Sequence, residues 1–197
     1  MYKNAPRLLA RVASGLLPLA LSVTFVPLSF GANVFENGAE NTLDTASEDV
    51  IVRDGASPTT LNVVDGATIS AVPEQDPALP DEGRAIGLFG GSILNLTGGE
   101  AAGTLQVNDS ATANLSGGLI GEDLEVNGGQ INLSGTAAID DDVFLNATAT
   151  FNMNDGGEVG DQFFATGMSA VTLGETAGPI NDDLFIRDEA TLNMAGS

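Results

Sequence analysis

Apolar and polar residues alternate in short bursts along this chain, and the bursts recur. Leu94-Asn95-Leu96 returns as Ala113-Asn114-Leu115, Ile131-Asn132-Leu133 and Phe151-Asn152-Met153. Val171-Thr172-Leu173 and Leu192-Asn193-Met194 continue the series, at steps of 19, 18, 20, 20 and 21 residues. A second phrase falls between successive members of the first: Leu105-Gln106-Val107, Leu124-Glu125-Val126, Val143-Phe144-Leu145, Phe163-Phe164-Ala165 and Leu184-Phe185-Ile186. Four residues ahead of the second phrase stands a further apolar position, occupied in turn by Ala101, Ile120, Ile139, Val159 and Ile180. Gly, Asp and Asn, which favour turns, fill most of the gaps.

Apolar-polar-apolar alternation is the period of a short strand with one buried face. Each burst is too short for a helix and too brief to be stable alone. Copies stacked at the spacing of neighbouring strands, about 4.8 Å, bury one continuous apolar column. The pattern therefore predicts an all-β fold, a single-stranded parallel β-helix (β-solenoid) with coils of about 20 residues. An antiparallel barrel or sandwich does not require the same residue type at matching places in successive units.

The repeat reaches back towards the N-terminus. "DVIVRDGASPTTLNV" (49–63) matches "DLFIRDEATLNM" (183–194) apart from the extra Ser57-Pro58-Thr59, which puts Asn62 in the asparagine series. Asn62 lies 33 residues before Asn95, one coil plus a loop, and the Pro-rich acidic stretch 73–84 absorbs the excess. Long loops on tight repeats commonly carry function. The expected division is a secretory signal peptide over 1–31, an N-terminal cap or linker over 32–48 and solenoid repeats over 49–197. The signal reading rests on Lys3, Arg7 and Arg11 ahead of the apolar run "GLLPLALSVTFVPLSFGA". It predicts a chain exported by a bacterial Sec-type route, secreted or held at the outer cell surface, with no membrane span once the signal is removed.

The "NLTGG" and "NLSGG" phrases on glycine-rich strands resemble right-handed parallel β-helix repeats of the pectin-lyase-like and autotransporter-passenger type. The resemblance covers about residues 49–197. It implies a bacterial surface or secreted protein and an adhesive or carbohydrate-directed role. Autotransporters carry a membrane β-barrel after the passenger, and no such pattern follows here. The sequence stops at "TLNMAGS", inside a ladder strand. Solenoids need protected ends, so the expectation is a fragment, or self-association or a partner at an uncapped C-terminal end.

Composition narrows the chemistry. Asp and Glu outnumber Lys and Arg by 27 to 6, and beyond residue 31 the only bases are Arg53, Arg84 and Arg187. A face this acidic repels nucleic acid and anionic membranes. There is no Cys, so stability comes from packing or ions rather than from disulfides. There is no His, and Lys and Tyr occur only in the first 31 residues. Polysaccharide lyases on β-helices take a proton with a base or a Tyr. Paired carboxylates alone suit glycoside hydrolysis, but acids are so common here that "NDDLFIRD" (181–188) does not single out a pair. No catalytic residue is assigned and the expectation is a non-enzyme. A carbohydrate-binding or carbohydrate-active β-helix is the alternative.

Two candidate faces remain. Glu122-Asp123, Asp141-Asp142, Asp161-Gln162 and Asp182-Asp183 sit at equivalent places just before the second phrase, with Asp140 and Asn181 extending the series. Stacked one coil apart, like charges repel by about 1 kcal/mol per pair even in water. Carboxylate and amide oxygens suit Ca²⁺. Glu122, Asp123, Asp140, Asp141, Asp142, Asp161, Asp182 and Asp183 thus form a candidate calcium ladder, with a solvated acidic edge as the plainer reading. Neither an EF-hand nor a GGxGxD repeat supports it. The second candidate is an outward row of Thr60, Asn62, Thr112, Asn114, Asn132, Thr150, Asn152, Thr191 and Asn193, able to meet a surface glycan or a protein. Its plainer reading is a hydrogen-bonded ladder that serves the coil. The N-x-S/T matches at Asn95, Asn108, Asn114, Asn132 and Asn146 largely restate the repeat.

Overall fold

A computed structural model of the chain describes residues 32–71 and 83–195. The signal-peptide segment and most of the 73–84 loop lie outside the described residues. Among those described, all regular structure is strand, arranged as a β-solenoid of about eight turns. No helix among them is long and apolar enough to cross a membrane.

Every strand pairing is parallel and joins one coil to the next. The first column of rungs carries the asparagine phrase. It begins at Glu40–Leu43 and Thr60–Val63 and ends at Ala170–Leu173 and Thr191–Met194. Its register sets Asn62, Asn95, Asn114, Asn132, Asn152, Thr172 and Asn193 in one line. Asn62 and Asn95, 33 residues apart, therefore stand in adjacent coils. A second column contains Asn33–Phe35, Val50–Val52, Arg84–Leu88, Val143–Asn146, Phe163–Ala165 and Leu184–Ile186, together with the starts of two long strands. The third column aligns Ile69, Ala101, Ile120, Ile139 and Val159, and a bridge adds Ile180.

Inward positions of all columns meet in one core. Leu61, Leu94, Leu115, Leu124, Phe151 and Phe163 are among its large fully buried members. Phe151 and Phe163 meet edge to face, with centroids 4.9 Å apart. Thr104–Ile120 and Leu124–Ile139 run on from one column to the next, their mutual register shifting between Gly128 and Gln130 and between Leu133 and Ala138. Left-handed glycines bend them: Gly118 has φ +81°, where a Cβ would lie 2.6 Å from the Gly99 carbonyl oxygen. The recurring phrase thus places an amide outside, a leucine inside and a glycine at the corner.

Two segments gain detail from the fold. Within the expected cap or linker, residues 33–48 form the first coil: Asn33–Phe35, Glu40–Leu43 and Ala46–Glu48 each pair in register with the coil that follows. In that coil Asn41 stands opposite the core residue Leu61, and its amide bonds the Thr60 carbonyl at 3.2 Å and the Ala39 carbonyl at 3.1 Å. A hydrogen-bonded polar group here occupies a core slot. Arg84, placed by the sequence at the end of the loop, opens a strand, and its Nη2 lies 2.7 Å from the Asp49 carboxylate.

Candidate functional site

The second column carries the acidic edge. Register aligns Leu124, Val143, Phe163 and Leu184, so the preceding residues Asp123, Asp142, Gln162 and Asp183 occupy one position, and Glu122, Asp141, Asp161 and Asp182 the one before. The equivalence read from spacing holds in the fold. Asp140 lies one residue earlier again and is exposed, as are Asp141, Asp182 and Asp183; Glu122 and Asp161 are half-buried.

Only part of this series converges. Asp123, Asp141 and Asp142 each offer a carboxylate oxygen within 4.8 Å of the other two. Asp123 is buried, because the strand that follows it turns inward immediately at Leu124. Asp161 belongs to the next coil, hydrogen-bonded to Asp182 and facing Asp141 and Asp142. Its carboxyl is held above the usual aspartate value, first by partial loss of solvent, then by the Asp182 bond and by repulsion from Asp142, Asp182 and Asp141. Glu122, Asp140, Asp182 and Asp183 stand outside the trio.

The acids also do structural work that spacing did not reveal. The Asp142 backbone N–H donates to the Asp123 carboxylate at 3.1 Å, and the Gln162 N–H donates to the Asp142 carboxylate at 2.9 Å. Each carboxylate thereby satisfies a backbone donor of the following coil at the strand entrance. Such charge-assisted bonds fix the carboxylates in place.

An open cleft of about 470 Å³ spans two coils at this edge. Its lining adds Glu125, Asn127, Phe144 and Asn146 to the aspartate trio. Sequence reasoning assigned none of these four residues to the edge. The amides form a second asparagine ladder: Asn127 donates to Asn108 at 3.4 Å and Asn146 donates to Asn127 at 3.2 Å. The signal was present, since "VN" or "LN" closes the second phrase at 108, 127 and 146.

The Thr/Asn row lies on the outer side of the first column. Asn95 donates to Asn62 at 2.8 Å, Asn114 to Asn95 at 2.9 Å, Asn132 to Asn114 at 2.8 Å and Asn152 to Asn132 at 3.0 Å. Thr60, Thr112, Thr150 and Thr191 align beside it, interrupted by Ile93, Gln130 and Ala170. Thr191 and Asn193 are exposed and the other candidates of this row are half-buried. Each amide within the chain spends one N–H and one oxygen lone pair on its neighbours, which is the coil-serving role.

No known protein family, curated protein or solved structure matches this chain. The β-solenoid is a finding of the fold itself, and the pectin-lyase-like and autotransporter names remain a resemblance.

Proposed function

We propose that the chain is a non-enzymatic β-solenoid scaffold, secreted or held at a cell surface, which presents its acidic edge to a partner. The observation that supports this reading is repetition: the same outward position is filled by like residues coil after coil. Catalysis needs unlike groups converging on one reacting atom. A column of like groups suits display along a length. Calcium is the ion proposed for the edge, held by Asp123, Asp141 and Asp142 as hard oxygen ligands and stiffening adjacent coils.

The competing reading is carbohydrate binding or cleavage, favoured by the threonines aligned beside the asparagine ladder. Incubating the protein with pectin, alginate and neutral polysaccharides, then assaying new reducing or unsaturated ends, separates the two. The scaffold reading expects no new ends. Product formation abolished by Asp182→Asn or Asp183→Asn would overturn it. Retention on a polymer without turnover, lost in Thr112→Val with Thr150→Val, would make the Thr/Asn row a glycan face instead.

A further inference from the structure

Outward lines of two columns run up the solenoid and differ in kind. That of the second column changes type, from Gln106 and Glu125 to Phe144, Phe164 and Phe185, whose rings stack with centroids 5.2 and 4.9 Å apart. That of the first column holds an amide at Asn62, Asn95, Asn114, Asn132 and Asn152 without interruption. At every step the later asparagine donates Nδ2–H to the Oδ1 of the earlier one, at 2.8 to 3.0 Å. The amides therefore all point the same way, N–H towards the N-terminal end and oxygen towards the C-terminal end.

An amide carries both donors and an acceptor, so a stack of amides is satisfied equally well in either direction. Nothing within the line chooses. Gln130 adds a donor to Asn132 at 2.9 Å, but it is itself an amide and can turn with the line. The choice has to come from an end. Beyond Asn152 the line continues in Thr172, whose hydroxyl donates or accepts. Ahead of Asn62 stands Thr42, equally indifferent. Asn62 reaches aside to Glu40, two residues before Thr42 on the same strand, and donates Nδ2–H to its Oε1 at 2.7 Å. This is the shortest bond of the series, and a carboxylate only accepts. It requires Asn62 to show its N–H, which leaves the Asn62 oxygen for Asn95. The same requirement passes from rung to rung.

We propose that Glu40 sets the direction of the whole amide ladder. It is a conformational device by which the first coil fixes side-chain orientation as far as Asn152, four rungs or roughly 19 Å beyond Asn62. Hydrogen bonds in a chain polarise one another, so aligned rungs are stronger than a mixture of senses. A single reversed amide would set oxygen against oxygen on one side and N–H against N–H on the other. The line therefore turns as a unit. It lies on a different column from the acidic edge and depends neither on calcium nor on a partner.

The test is scalar coupling across the hydrogen bonds, measured by NMR on the isotope-labelled full chain. In the wild type each Nδ2 couples to the Cγ of the asparagine one coil earlier, from Asn95 with Asn62 up to Asn152 with Asn132. Glu40→Lys replaces an acceptor by a group that only donates. The couplings then reverse, running from Asn62 Nδ2 to Asn95 Cγ and onward. Glu40→Gln keeps the size and can donate or accept, so couplings of both senses appear. Glu40 is exposed, and the backbone amide spectrum of each variant checks that the coils stay folded. Wild-type couplings in the opposite sense overturn the proposal, as does the wild-type direction kept from Asn95 onward in Glu40→Lys. If lysine disrupts the first coil, Glu40→Gln decides alone, and a single unchanged direction there overturns it.

Discussion

Asn132 shows how a single side chain serves the coil. It donates to Asn114 at 2.8 Å and accepts from Asn152 at 3.0 Å and from the Gln130 amide at 2.9 Å. Net hydrogen bonds are worth about 0.5–1.5 kcal/mol each, and orphaned partners cost more. Asn132→Ala is expected to lower the urea-unfolding free energy by about 1–3 kcal/mol, whereas the exposed Asn193→Ala changes it by less than about 0.5 kcal/mol. Equal small losses at both sites would show that the ladder does not stabilise the fold. Asp161 makes a prediction about pH. Its folded pKa is raised above the ordinary aspartate value, so the folded state holds that proton more tightly than the unfolded chain does. Stability from this group is therefore present below the unfolded value and is lost as pH rises through the folded value. Melting curves taken from acid to neutrality should fall less steeply over that window in Asp161→Asn than in the wild type.

The coil is the element, and its rules were mostly legible. Asn-Leu-Ser-Gly-Gly could be read because amide, core residue and corner glycine are each fixed by position within one coil. Gly118→Ala tests the corner, since a left-handed φ and the Gly99 carbonyl both exclude a Cβ. It should cost more than about 1 kcal/mol in chemical denaturation. The first coil escaped the reading because it lacks the phrase: Thr42 stands in the asparagine line and Asn41 in the core slot of Leu61. The aromatic stack was hidden for a related reason. Gln106, Glu125, Phe144, Phe164 and Phe185 share one outward line but change type along it, and the pattern shows only that the position faces out. The bonds from the Asp142 and Gln162 backbones to carboxylates depend on coil-to-coil register at the corner, which side-chain periodicity does not carry. Phe164→Ala, which removes two stacked pairs, should cost about 1–3 kcal/mol in the same assay.

For the whole molecule the deciding quantity is charge. With 27 acids and few bases, the chain repels itself at neutral pH, yet the fold gathers Asp123, Asp141 and Asp142 rather than spreading them. Gathered like charges store repulsion that a bound cation relieves, and a ligand selective for the folded state raises stability by mass action. Roughly a hundredfold excess over Kd adds about 2.7 kcal/mol. The most direct measurement is a thermal melt of the full chain with Ca²⁺ and then with excess chelator. The account predicts a higher melting temperature with Ca²⁺, reversed by chelator and lost in Asp141→Asn, whose side chain is exposed. A melting temperature indifferent to Ca²⁺ and chelator would contradict it and leave the acids as rungs that only link one coil to the next.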